Sequence, residues 1–144
     1  MACDFYVAGT IELRSPVPLA QLWELIDQDA FPGGFQVAPY GLDEPELAEL
    51  VTRAHWVLVP DADAGADDQG RPRAIKYLRV SDPGVESLEV DKRLRGLSAG
   101  MGGADHEFHG HLRYWADTGG DGGVIEPYEN GKSPAWRQIG GRFW

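Results

Sequence analysis

The run Asp105-His106-Glu107-Phe108-His109-Gly110-His111 holds three of the four histidines of the chain. On a strand, alternate side chains share a face, so His109 and His111 stand about 7 Å apart on one side. That spacing lets two imidazoles reach one zinc or another divalent metal, with Glu107 or Asp105 as a carboxylate ligand or general base. The chemistry would be metal-dependent hydrolysis. The competing reading is structural. A His-x-His pair on a polar strand face is solvated, His106 on the apolar face is a hydrogen-bonded core residue, and the protein then uses no cofactor.

Two other features bear on binding. Tyr114, Trp115, Trp136, Phe143 and Trp144 crowd the last 31 residues; aromatic side chains fill cores but also dominate the energy of binding hot spots. Trp115, on the polar face of its strand, and Trp136 are the contact candidates. The charge is also unevenly placed. Between Glu24 and Asp68 there are eleven acids and one base, Arg53, which accounts for the whole formal charge of −10. Glu44, Asp61, Asp63, Asp67 and Asp68 are the members suited to meet a basic partner. Acids at a helix start and acids that promote solubility are the alternative.

Other patterns fail on their own terms. Asn130-Gly131-Lys132-Ser133 ends like a phosphate loop, but Glu126 stands where that loop needs its first Gly, and Pro134 stands where its helix begins. Gly100-Met101-Gly102-Gly103 lacks the strand-then-helix setting of a dinucleotide fingerprint. Asp61 to Asp67 opens like a calcium loop, yet Ala66 replaces the turn Gly and Pro72 the bidentate acid. Cys3 has no neighbouring cation to stabilise a thiolate.

The elements that must position these residues follow from periodicity. Phe5, Val7, Gly9, Ile11 and Leu13 alternate with polar neighbours, the period of a half-buried strand. Leu19, Leu22, Trp23 and Ile26 form a helical stripe after Pro18. Residues 28–42, rich in Gly and Pro, read as a loop packed by Phe31, Phe35 and Tyr40. Asp43 caps a helix with Pro45 in its first turn and Leu47, Leu50, Val51 and Ala54 buried, ending near His55. Residues 56–59 and 74–80 are β-prone around an acidic connection expected to be solvated. Asp82-Pro83-Gly84 predicts a turn. A third helix carries Val90, Leu94 and Leu97 inward, before a Gly-rich connection over 96–103. Residues 106–116 form a strand with Phe108, Leu112 and Tyr114 on one face, followed by strands at 124–128 and 136–144 joined through Asn130-Gly131. The expected fold is α+β, a single-layer antiparallel sheet of about five or six strands with two or three helices packed on one face.

Length and composition agree with one domain over residues 1–144. A hydrophobic fraction of 42% excludes a wholly disordered chain, and no repeat or low-complexity linker divides it. No apolar run nears the roughly 18 residues that span a bilayer, and residues 1–13 alternate like a strand instead of forming a leader. One cysteine allows no internal disulfide. The expected setting is cytoplasmic. The negative charge argues against direct nucleic-acid or membrane contact, since no basic cluster offsets it.

The landmarks Gly9-Thr10-Ile11-Glu12-Leu13, Ser15-Pro16-Val17-Pro18, Phe108-His109-Gly110-His111-Leu112 and Gly120-Asp121 resemble those of a family of small proteins from high-GC bacteria and their phages. No activity is assigned to that family. The resemblance covers mainly the two ends, implies a one-domain α+β fold in a phage or mobile-element setting, and transfers no catalytic residue.

These observations lead to an expectation of a small acidic, non-catalytic binding protein. It would recognise a protein partner with a basic surface, in the manner of a phage or mobile-element inhibitor, through its acidic segment or its aromatic-rich sheet. The alternative is the metal-dependent hydrolase. The sequence leaves oligomeric state open.

Overall fold

The computed structural model describes residues 5–22, 35–101, 107–116, 122–130 and 133–141. Seven strands form one sheet: β1 (Phe5–Pro18), β2 (Gln36–Val37), β3 (Trp56–Pro60), β4 (Ala74–Val85), β5 (Glu107–Ala116), β6 (Gly122–Asn130) and β7 (Ser133–Gly140). Two α-helices join them, α1 (Glu44–Ala54) and α2 (Ser87–Met101). The strand order is β2-β3-β4-β1-β5-β6-β7. Every neighbouring pair is antiparallel except the short β2–β3 pair, which is parallel.

The α+β class stands, with three differences from expectation. The sheet has seven strands instead of five or six. The helices lie on opposite faces, not on one. In β3, Trp56 and Leu58 join the core built with Val90, Leu94 and Leu97 of α2, whereas Val57 and Val59 pack in a separate cluster with Leu50 and Val51 of α1. Successive strand residues point to opposite faces, so the two clusters sit on the two sides of the sheet. Third, Asp82-Pro83-Gly84 stays in strand β4 instead of turning. β3 begins opposite Val80, and on the β1 side Pro83 and Gly84 fall in a register shift between the Val7–Asp82 and Phe5–Val85 pairs, an irregularity of the kind in which a strand tolerates a proline without its N–H.

Local chemistry explains the helices. The Asp43 carboxylate accepts from the Glu46 amide (2.9 Å) and the Glu46 carboxylate accepts from the Asp43 amide (3.3 Å), a reciprocal capping box ahead of the α1 stripe. α1 ends at His55, whose φ of 73° stops the helix. Its carbonyl accepts from the Ser81 amide, and its Nδ1 lies 2.8 Å from the Ser81 carbonyl oxygen. α2 runs on to Met101, through residues expected to leave the helix. Of the stripe expected at Leu19–Ile26, Leu19 and Leu22 are buried in a single 3-10 turn; Trp23, Ile26 and Phe31 lie outside the described residues, as do Cys3, His106, Phe143 and Trp144. Among the described residues, no helix is long and apolar enough to cross a membrane.

A polar cluster fixes α2 to the sheet. Trp56 Nε1 donates to Asp82 Oδ2 over 2.8 Å, both residues being buried. The Arg93 guanidinium of α2 lies 5.0 Å from the Trp56 ring centre, a cation–π contact. Burial lowers the Arg93 pKa, while Glu89 and Asp82 act to hold its charge. Leu94, beside Arg93, has no solvent exposure. Leu94→Ala should therefore destabilise the fold by about 2–5 kcal/mol. Leu88→Ala, on the exposed side of the same helix, should stay within about 0.5 kcal/mol of the parent. Urea denaturation of both variants checks the assignment of the helix faces.

Candidate binding surface

Helix α2 covers one face of the sheet, and α1 covers the other only at its β3–β4 end. The second face of β1, β5, β6 and β7 carries no helix among the described residues. The register of β1 on β5 decides what meets there: Tyr6 stands opposite Trp115, Ala8 opposite Arg113, Thr10 opposite His111, Glu12 opposite His109 and Arg14 opposite Glu107. The alternation expected for both strands is present. Val7, Ile11, Leu112 and Tyr114 are buried on the α2 side.

At one end of the open face the Tyr6 and Trp115 rings stack, with centroids 4.6 Å apart and planes 7° from parallel. Trp115 is still 41% exposed. Its opposite residue on β6 is Gly122, which offers no side chain to the second face of the indole. Trp136 is turned to the other side of the sheet. Its Nε1 donates to the Leu94 carbonyl and to Ser98 Oγ of α2, and its ring lies 5.0 Å from Phe108. Of the two candidate tryptophans, Trp115 alone is presented on the open face.

The cations of this face are mostly engaged. Arg14 pairs with Glu12 at 3.2 Å, Arg79 with Glu44 at 2.8 Å, and Arg137 Nε with Glu126 at 2.7 Å. Arg113 has no carboxylate partner among the described residues; it is exposed, between Ala8 on β1 and Val124 on β6.

The histidine candidates are placed as the strand predicts. His109 and His111 share the open face, and His109 Nε2 lies 3.0 Å from Glu107 Oε2. Asp105 lies outside the described residues. Among those described, no three His, Cys, Asp or Glu side chains converge as a metal would require. The spacing Gly96-Leu97-Ser98-Ala99-Gly100 matches a nucleophile elbow, a motif that needs its serine on a strand-to-helix turn. Here it lies within α2, where Ser98 Oγ donates to the Leu94 carbonyl and accepts from Trp136.

The acidic candidates do not form one solvated patch. Glu44 grips Arg79 through both its carboxylate oxygens. Asp61, expected in an exposed loop, is 7% exposed and accepts from the Asp63 amide. Asp67 organises the connection between β3 and β4: Oδ1 accepts from the Gln69 and Arg71 amides, each 2.9 Å away, and Oδ2 from Arg71 Nε. Asp68 projects into solvent. Within this solvated connection, where Asp63 and Asp68 are exposed, Asp67 acts as the internal acceptor that a turn requires. The fold does unite two separate sequence candidates. Asp61 and Asp63 line a cleft of about 670 Å³ together with Glu107, Glu12 and Lys76 at the far end of the open face.

Tyr6, Glu12, Lys76 and Arg113 belong to this surface and were not singled out by sequence. The alternation of β1 puts Tyr6 on its polar face, but its meeting with Trp115 depends on cross-strand register. No protein-family model matches the chain, and neither a curated protein nor a solved structure shows significant similarity to it.

The Arg71 amide, with help from the Gln69 amide and the Arg71 guanidinium, holds the Asp67 carboxyl below its ordinary value of 3.8. A depressed pKa contributes stability that is fully present above the unfolded value and is lost as pH falls through the folded one. The Gln69 and Arg71 amide resonances should therefore stay constant down to about pH 4 and titrate only below it. In Asp67→Asn they should lose that titration, whereas Asp68→Asn should leave it intact. An NMR pH series measures both.

Proposed function

We propose that this chain is a non-catalytic binding protein that recognises a protein partner with a basic surface, using the open sheet face around Trp115 as its contact. The observation that carries this reading is Trp115 itself. A large aromatic side chain, stacked on one side by Tyr6 and 41% exposed, is held rigid at low entropic cost, as a binding hot spot requires. The formal charge of −10 supplies the second element, a field that steers a basic surface toward the protein before contact is made. The finer reading follows from that sign of charge: an inhibitor that occupies the basic site of a nucleic-acid-binding protein.

The test compares variants, because capture alone identifies nothing. Immobilised wild type, Trp115→Ala and Leu88→Ala are each exposed to lysate of the native host, and the retained proteins are quantified by mass spectrometry. A partner should be retained by wild type and by Leu88→Ala, and reduced at least about tenfold by Trp115→Ala, the effect of losing about 1.4 kcal/mol. Its retention should fall between about 0.1 and 1 M salt, as the Debye length shrinks from about 10 to 3 Å. Equal retention by wild type and Trp115→Ala for every captured protein would reject the Trp115 surface.

A further inference from the structure

We infer that the open face receives an extended acidic–apolar segment of the partner, its carboxylate on Arg113 and an apolar side chain two residues away on Trp115. This inference rests on the proposed binding role and adds the chemistry of the anchor. Arg14, Arg79 and Arg137 each hold a carboxylate, but Arg113 has none among the described residues. Its cross-strand neighbours are Ala8 and Val124, with Ile139 beyond Val124 on β7; Ile139 is 47% exposed. An arginine framed by apolar side chains gains most from a planar anion that binds its fork through two parallel hydrogen bonds, since the partner also excludes water from the pair.

Spacing then sets the form of the ligand. Arg113 and Trp115 are two residues apart on one strand face, about 7 Å. An extended partner segment presents its side chains i and i+2 at the same interval, so one acid and one apolar residue in that pattern match both groups. The indole face opposite Tyr6 is the one that Gly122 leaves without a side chain, and it offers the stacking surface. Among the described residues the nearest acid of this face is Glu126, two residues along β6 from Val124 and so about 7 Å from Arg113 across the diagonal; Arg137 holds its carboxylate, which leaves Arg113 open to a second one. Glu107 lies six residues from Arg113 along β5, roughly 20 Å, and the row of Glu12 and His109 lies four residues away, roughly 13 Å. Both exceed the Debye length of about 8 Å at physiological salt. The net charge thus governs the approach of a basic partner, and Arg113 governs what touches this spot.

The probes are three peptides: acetyl-Glu-Ser-Trp-amide, acetyl-Gln-Ser-Trp-amide and acetyl-Gln-Ser-Trp with a free C-terminal carboxylate. Each is titrated to about 10 mM, the range in which a fragment of this size binds, into the full ¹⁵N-labelled chain, with the Trp115 Nε1–H and Arg113 Nε–H resonances as the readout. The Glu peptide should shift both signals and bind at least about fivefold more tightly than the Gln amide. Arg113→Gln should abolish that preference, Arg113→Lys should restore only part of it, and Trp115→Ala should weaken both amides. An unchanged amide spectrum elsewhere confirms that each variant is folded. Equal binding of the Glu and Gln amides, or a preference that survives in Arg113→Gln, would overturn the inference, as would the absence of shifts at about 10 mM. Binding of the free acid as tightly as the Glu peptide would also overturn it, by assigning the site to a chain terminus. If partner capture is lost in Trp115→Ala but retained in Arg113→Gln, the binding role stands and the carboxylate anchor fails.

Discussion

The pairing of β1 with β5 is the constraint on which the rest of the fold depends. The two strands run antiparallel from Phe5 opposite Ala116 to Arg14 opposite Glu107, at the centre of the sheet. Two glycines bring their backbones together. A Cβ on Gly9 would stand 2.5 Å from the His111 carbonyl oxygen, and one on Gly110 would stand 2.5 Å from the Thr10 carbonyl oxygen; both residues have positive φ, 150° and 116°. The approach is reciprocal, since Gly9 faces Leu112 and Gly110 faces Ile11. A slip of one residue would drive a side chain into a backbone carbonyl at both places, and it would also turn every side chain of the strand to the opposite face. The register that buries Val7, Ile11, Leu112 and Tyr114 is therefore the one that brings Tyr6 to Trp115 and sets Arg113 between apolar neighbours. Core and candidate surface share one cause.

The α2 face is closed by polar contacts as much as by apolar ones. Trp56 is buried and Trp136 half-buried, and each satisfies its indole N–H internally, one on Asp82 and the other on α2. A buried donor without an acceptor costs about 1–3 kcal/mol; the Trp56 bond ties β3 to β4, and the Trp136 bonds to Leu94 and Ser98 restrict where α2 can dock. Arg93 completes the arrangement by placing its charge over the Trp56 ring near Asp82. The result is a helix fixed in position on one side, and an opposite sheet face that owes nothing to it.

How much of this was legible in the sequence depended on whether a signal was local. The capping box of α1 needs only residues 43–46, and the alternation of β1 and β5 needs only the strands themselves; both were readable. The faces of the helices were not, because Trp56-Val57-Leu58-Val59 is apolar throughout and a continuous run does not tell one side of a strand from the other. Asp82-Pro83-Gly84 carries strong turn chemistry, and tertiary context overrode it: β1 pairs with Asp82 and Val85 on either side, and the strand absorbs Pro83 and Gly84 as an irregularity in register. The two-residue β2 is too short to show a period. The candidate surface was half legible. His109, His111 and Trp115 were placed on one face by parity alone, but the meeting with Tyr6 is a product of register between segments about a hundred residues apart in sequence, and the placing of Arg113 between Ala8 and Val124 depends on the registers of both β1 and β6.

The acids show why composition and contact must be kept separate. The segment that carries the net charge looked like a single negative patch, yet Asp43 and Glu46 cap α1, Glu44 holds Arg79, Asp61 is buried and Asp67 ties the loop between β3 and β4. These carboxylates count in the formal charge of −10, and each is at the same time committed to an internal contact. Field and contact can then reside in different parts of one small domain. The field depends on the sum of charges and tolerates their exact arrangement, whereas the contact depends on geometry that β1 and β5 impose to within a residue. Under the proposed binding role, the first would act through encounter rate and the second through residence time.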